Sequence, residues 1–229
     1  MFSFNKAIID ATKDLCVSYK INTAFYEAQG LKGWQSMVKT LAYIPKDIFT
    51  IADAKRGDIG NTSTQYAKAF FETMDFDSIT VAPYMGADSV QPFLAFEGKW
   101  AIVLGLTSNE GAYDFQYTIS DDEMLFEKVI KKVSSWGHPD NLMFVIGATK
   151  AAQLKDIRKI IPNHFLLIPG VGTQGGSLKE VCVNGMNDQI GLLVNVSRHI
   201  IYAGNDSDFD QKAREAAFHI QQEMSNYLP

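Results

Sequence analysis

Short β-branched and leucine-rich runs alternate along this chain with longer stretches in which apolar positions recur every three or four residues. The short runs predict strands at Leu15–Lys20, Ile48–Asp53, Ser78–Ala82, Ala101–Leu106, Leu142–Gly147, Phe165–Pro169 and Gly191–Val196. Between them the pattern predicts helices with readable ends. Ser120, followed three residues later by Glu123, has the capping-box spacing, in which a hydroxyl and a carboxylate each satisfy an orphan backbone amide. Leu125, Val129, Val133 and Trp136 then share one face, and Gly137 is placed to stop the helix. Thr149 is a candidate cap for the next helix, with Leu154, Ile157 and Ile161 inward before Pro162. A helix-like segment runs from about Asn5 to Asp14, and the last helix begins near Asp208 with Ala213, Ala217, Ile220 and Met224 inward. All these stripes are read as core.

No linker interrupts the alternation, so residues 1–229 are expected to form one domain of βα units in the α/β class. Strands joined through helices need parallel crossovers, which predicts a (β/α)8 TIM-type barrel. Its first strand is apparently absent from the chain, since only four residues stand ahead of Asn5. A barrel short of one strand leaves two facing edges unpaired. An open doubly wound sheet is the alternative architecture.

Composition narrows the function. A formal charge of −5 without a basic stripe argues against nucleic acid or an anionic membrane as partner. No run approaches the length of a membrane span and no signal-peptide pattern opens the chain, so a soluble, cytoplasmic protein is expected. Cys16 and Cys182 sit in apolar runs without metal-ligand or disulfide spacing, and His138, His164, His199 and His219 share no ligand spacing.

The polar residues at strand ends change the picture. Asp53-Ala-Lys55-Arg56-Gly57-Asp58 follows the apolar run at Ile48–Ile51 directly, with a helix start at Asn61-Thr62. Asp53 and Lys55 are two residues apart, so in a continuing strand they face the same way. Asp58 falls in the turn beyond. In isolation these letters read as a charged strand-to-helix loop, and Lys20, at the end of its own run, reads as a snorkelling surface lysine. Together, Lys20, Asp53, Lys55 and Asp58 predict an alternating array that keeps both lysines protonated and both carboxylates ionised. Downstream, Phe165–Pro169 runs into Gly170-Val171-Gly172-Thr173-Gln174-Gly175-Gly176, and Gly191–Val196 runs into Ser197-Arg198. A glycine loop alone reads as a flexible turn. Beside a guanidinium at the next strand end it predicts a phosphate site.

The run Asp53 to Thr62, with Val81 to Gly86, Leu106-Thr107-Ser108-Asn109, Pro169 to Gly176 and Ser197-Arg198, resembles the orotidine 5'-phosphate decarboxylase family, in its longer-loop bacterial branch. The resemblance covers nearly the whole chain. It implies decarboxylation of orotidine 5'-monophosphate to UMP, the last step of de novo pyrimidine nucleotide synthesis, without metal or organic cofactor. It implies Lys55 as proton donor to the pyrimidine C6, Asp53 against the substrate carboxylate, and Lys20 in the same network and on the ribose. Asp58 and Thr62 would serve the neighbouring pocket of a homodimer. Ser108 would read the pyrimidine edge, Gln174 and Arg198 would hold the phosphate, and Ile59 and Val171 would supply apolar wall. Ser197 joins the substrate-binding set but stands where many relatives have glycine, and no Gly-Leu-Asp-type strand motif precedes Phe4. Two further readings remain open: a metal-dependent sugar-phosphate decarboxylase or aldolase on the same barrel, and a non-catalytic nucleotide-binding remnant. Whether residues 109–118 form a lid is open as well.

Overall fold

Parallel pairing demands a crossover after every strand, and this chain supplies one each time. The computed structural model describes residues 1–172 and 175–228. α1 (Phe2–Thr12) leads into β1 (Ser18–Asn22), and α2 (Ala24–Glu27) and α3 (Gly30–Tyr43) return the chain to β2 (Phe49–Arg56). α4 (Gly60–Lys68), prolonged by a π-helical turn, precedes β3 (Ser78–Val81), and α5 (Ala87–Leu94) precedes β4 (Trp100–Leu106). The next connection carries α6 (Ala112–Phe115), a hairpin of β5 (Ile119–Ser120) and β6 (Glu123–Met124), and then α7 (Leu125–Ser134). β7 (Leu142–Ile146) passes through a 3-10 turn into α8 (Leu154–Ile160), and β8 (Leu166–Pro169) is followed by α9 (Leu178–Gly185). β9 (Leu192–Asn195) leads to α10 (Arg198–Ile201) and α11 (Phe209–Ser225). No described helix is long and apolar enough to cross a membrane.

Seven parallel strands pair in the order β1-β2-β3-β4-β7-β8-β9. Spatial order therefore follows chain order with no reversal. Right-handed crossovers running always in one direction put every helix on one face and curl the sheet, whereas a doubly wound sheet needs a reversal point. The result is a nearly closed α/β barrel whose sheet ends at β1 and β9. The period-2 alternation of the strands divides the core. Ile51, Ile102, Met143, Val145 and Leu167 point into the barrel, with Phe49 and Trp100 meeting edge to face at 6.4 Å. Ala52, Ile79, Val103, Phe144 and Ile168 point outward beneath the helices.

Several expected boundaries are corrected. β1 starts at Ser18 rather than Leu15, so Lys20 lies inside a strand and not at its end. Ser120 and Glu123 do not cap a helix: they face each other across the β5–β6 hairpin, and Asp121 and Asp122 make its turn at φ 52° and 62°. α7 begins two residues after Glu123, and Glu127 accepts the Met124 N–H at 3.0 Å. Its buried residues are Phe126, Ile130 and Val133, so Leu125 and Val129 flank the inner face rather than centre it. Thr149 caps nothing, because a 3-10 turn starting at Ala148 continues into α8. The α11 expectation holds, with Ala213 and Ala217 buried and Ile220 and Met224 packed against the core.

Below the barrel, Arg158 ties two crossovers together through backbone carbonyls. Its guanidinium donates to the carbonyls of Gly185 at 2.6 Å, His164 at 2.6 Å, Gly191 at 2.8 Å and Ile161 at 3.3 Å. Beside it His164 is buried against the Phe144 ring, and neither ring nitrogen has a hydrogen-bond partner among the described residues. Burial, reinforced by the Arg158 charge, pushes the His164 pKa down to about 4. Between the ordinary value near 6.5 and that lowered value, the unfolded chain binds the extra proton. Stability is thus complete above about pH 6.5 and is lost as pH falls toward 4. A loss of about 1–2 kcal/mol is expected after allowing for solvent near the ring. Thermal unfolding checks it: His164→Phe should narrow the gap in Tm between pH 7 and pH 4.5.

Candidate active site

The inner face of β2 carries Ile51, then Asp53, then Lys55, so side chains pass from apolar to charged toward the carboxyl mouth. On β1 the register sets Lys20 opposite Ile51 and Asn22 opposite Asp53. Parallel neighbours therefore bring Lys20 and Asp53 together across the strand boundary. Lys20 Nζ donates to Asp53 Oδ2 at 2.6 Å, and Lys55 Nζ donates to Asp53 Oδ1 at 2.5 Å. Lys20 is 12% exposed and Lys55 is 51% exposed, so one ammonium is sunk in the barrel and the other faces the mouth. Burial raises the Asp53 pKa, but attraction and hydrogen bonds from Lys20 and Lys55 outweigh it and hold the carboxyl below its ordinary value.

Among the described residues the expected four-charge array reduces to three within one chain. Asp58 sits past the end of β2, and its Oδ1 accepts the Ile59 N–H at 2.7 Å rather than a lysine. Ile59 is 59% exposed and Thr62 is exposed on the first turn of α4. Lys55 itself takes φ 47°, a left-handed conformation that disfavours a side chain. The β2–β3 register shifts between Ala52 and Arg56 at the same place. The Lys55 N–H is met instead by Thr80 Oγ1 at 2.9 Å. Arg56 is anchored beside it, donating to Glu27 and to the Ala54 carbonyl and lying over the Tyr66 and Phe70 rings.

Ser108 follows β4 and is half-buried against β7. A Cβ on Gly147 would fall 2.7 Å from the Ser108 nitrogen, so only glycine lets the two strand ends close there. Gln116 clamps the preceding residue: its Oε1 accepts the Thr107 N–H at 2.8 Å and its Nε2 donates to Thr107 Oγ1 at 2.7 Å. Lys150, beyond β7, sits over the Tyr113 and Tyr117 rings at 4.7 and 5.0 Å. Residues 109–118 are thus tied both to β4 and to the β7 connection.

At the strand ends expected to hold a phosphate the outcome is mixed. Gly170, Gly172 and Gly175 have φ 99°, 74° and 83°, in the left-handed region that favours glycine. Yet the Gly172, Gly175 and Gly176 amides bond to carbonyls of the loop itself, which removes three donors from the expected anion nest. Val171 is buried in the core, and Gln174 lies outside the described residues. Ser197 and Arg198 are exposed at the start of α10. Arg198 also lines an open cavity of about 600 Å³ between α10 and α11 that none of Lys20, Asp53 or Lys55 borders.

Thr80, Arg56, Glu27 and Gln116 escaped the sequence reading. Only Thr80 left a signal there, the polar alternation Ser78, Thr80 within an otherwise apolar strand.

A nearly closed parallel barrel with an ammonium–carboxylate–ammonium cluster at its carboxyl mouth defines a (β/α)-barrel protein of the enzyme type, whose chemistry is set by strand ends. A family model described as orotidine 5'-phosphate decarboxylase / HUMPS matches residues 3–212, and the chain belongs to that family. It is 62% identical to an orotidine 5'-phosphate decarboxylase of Flavobacterium johnsoniae and 57% identical to one of Bacteroides fragilis. Each match covers 100% of this chain and 85% of the relative. The solved structure of Leishmania donovani OMP decarboxylase superposes with a TM-score of 0.90 at 34% identity, over 99% of this chain and 86% of that one.

Proposed function

We propose that this chain decarboxylates orotidine 5'-monophosphate to UMP, as a carboxy-lyase of pyrimidine nucleotide synthesis. The observation that carries the reading is the Lys20–Asp53–Lys55 cluster, held at the barrel mouth in a chain so similar to named decarboxylases. Loss of CO2 leaves electron density on a ring carbon with no adjacent sink, and an ammonium fixed nearby stabilises that charge as it develops. Lys55, the more exposed ammonium, then passes its proton to C6. Asp53 stands against the departing carboxylate and keeps Lys55 in place. Lys20 secures Asp53 from below and contacts the ribose. Ser108 reads the pyrimidine edge, and Ile59 and Val171 form apolar wall. Gln174, Ser197 and Arg198 take the phosphate, whose binding orients the ring far from the reacting carbon.

The site is proposed to be completed in a cytoplasmic homodimer. Asp58 and Thr62 stand outside the charged cluster of their own chain, as suits residues that serve a neighbouring pocket. Tyr84, 91% exposed, and Met85 offer apolar surface at the same end of the barrel. The reaction is proposed to need no metal or organic cofactor.

The test follows the ultraviolet change of orotidine 5'-monophosphate in the presence of EDTA. Turnover is expected. Activity only after divalent metal is restored would favour the sugar-phosphate branch, and tight UMP binding without turnover would mark a binding remnant. In the same assay, inactive Lys55→Ala and Asp58→Ala chains are expected to regain about a quarter of wild-type turnover when mixed, because half the dimers then hold one intact site. Failure of the mixture, with both chains folded and dimeric, would place Asp58 in its own chain's pocket.

A further inference from the structure

Thr80 lies on the inner face of β3 and is 1% exposed. Its hydroxyl stands between two groups of the neighbouring strand. It donates to Asp53 Oδ1 at 3.1 Å and accepts the Lys55 backbone N–H at 2.9 Å. An amide can only donate and a hydroxyl has one proton, so the direction of both bonds is fixed.

This hydroxyl fills a need that β2 creates. The left-handed turn at Lys55 breaks the ladder to β3, and the interrupted register offers that amide no regular strand partner. A side chain from β3 supplies the acceptor instead. The same hydroxyl reaches Asp53 Oδ1, the oxygen that also receives Lys55 Nζ, while Oδ2 receives Lys20. Backbone of Lys55 and carboxylate of Asp53 are therefore pinned by one atom.

We propose that Thr80 is a positioning residue for the decarboxylation: its hydroxyl couples the strained backbone at Lys55 to the rotamer of Asp53 and so places the Lys55 ammonium against the reacting carbon. The proposal rests on the roles given above to Lys55 and Asp53. Thr80 has no part in binding substrate and works through those two residues. Valine has nearly its shape but would strand a buried amide and leave Oδ1 short of a donor. Serine keeps the hydroxyl with a less restricted χ1.

The experiment compares Thr80→Val, Thr80→Ala, Thr80→Ser and Lys55→Ala full-length chains for turnover of orotidine 5'-monophosphate and inhibition by UMP, with unfolding curves for each. Thr80→Val is expected to lower kcat by roughly 10- to 100-fold, the scale of a small misplacement of a reacting group, while KM and the UMP inhibition constant change less than about threefold. Thr80→Ser should regain most of kcat. Should valine prevent folding, the alanine and serine chains carry the comparison. Wild-type kcat in the valine or alanine chain, beside an inactive Lys55→Ala, overturns the proposal and leaves the function intact. Serine no better than alanine also overturns it, since the hydroxyl would then have no role. Undiminished turnover by Lys55→Ala removes the roles on which the proposal stands.

Discussion

Replacing Lys55 with alanine is expected to lower kcat/KM for orotidine 5'-monophosphate by at least about 10⁴-fold, or about 5.5 kcal/mol of barrier, with the fold preserved. Two contributions are lost at once. A positioned proton donor typically supplies 10²- to 10⁴-fold, and a fixed charge beside a developing anion adds about 10²- to 10³-fold. Both act in the transition state, so the loss should fall on kcat while the inhibition constant of UMP moves little. Stability should change little, because the Lys55 side chain is half exposed and its removal still leaves Asp53 paired with Lys20 and Thr80. Steady-state kinetics beside a thermal unfolding curve make the check. A kcat within tenfold of wild type would remove Lys55 from the chemistry.

The charged cluster was legible because strand geometry is simple. Residues two apart on one strand share a face, and that parity alone put Asp53 and Lys55 together. Lys20 was found too, although its strand begins three residues later than the apolar run suggests. Within that strand it sits opposite Ile51 on the inner face, so the side chain still meets Asp53. The barrel followed from strands joined by parallel crossovers together with polar motifs at their ends, which favour it over an open doubly wound sheet.

What escaped depends on neighbours distant in sequence or on local backbone choices. Nothing in the letters tells that Asp121 and Asp122 would take left-handed φ and close a hairpin, which turned an apparent capping box into a cross-strand pair. The glycine loop is expected to hold a phosphate, and its Gly172, Gly175 and Gly176 amides bond to carbonyls of the loop itself, because glycines that turn a chain tightly also direct their own N–H groups to nearby carbonyls. Thr80 and Gln116 act through hydrogen bonds that exist only once β3 lies beside β2 and α6 folds back on β4. Asp58 accepts the Ile59 N–H and, among the described residues, meets no lysine of its own chain.

Asp53→Asn should separate two roles that one carboxylate combines. The amide keeps the shape but presents an NH2 group where an ammonium or the Thr80 hydroxyl now donates, so the cluster loses at least one bond and its central negative charge. Lys20, 12% exposed, is left without its counter-charge, and a stability loss of about 3 kcal/mol is expected in thermal unfolding. Misplacement of Lys55 should lower kcat by roughly 10³-fold. The ground state supplies the discriminating measurement. If Asp53 is pressed against the substrate carboxylate, its neutral replacement relieves that repulsion, so KM for orotidine 5'-monophosphate should fall together with kcat. UMP has no carboxylate at C6, and its inhibition constant should stay within about threefold of wild type. A lower kcat with KM unchanged would mean that Asp53 acts only by holding Lys20 and Lys55, and that repulsion of the departing group adds nothing measurable to the rate.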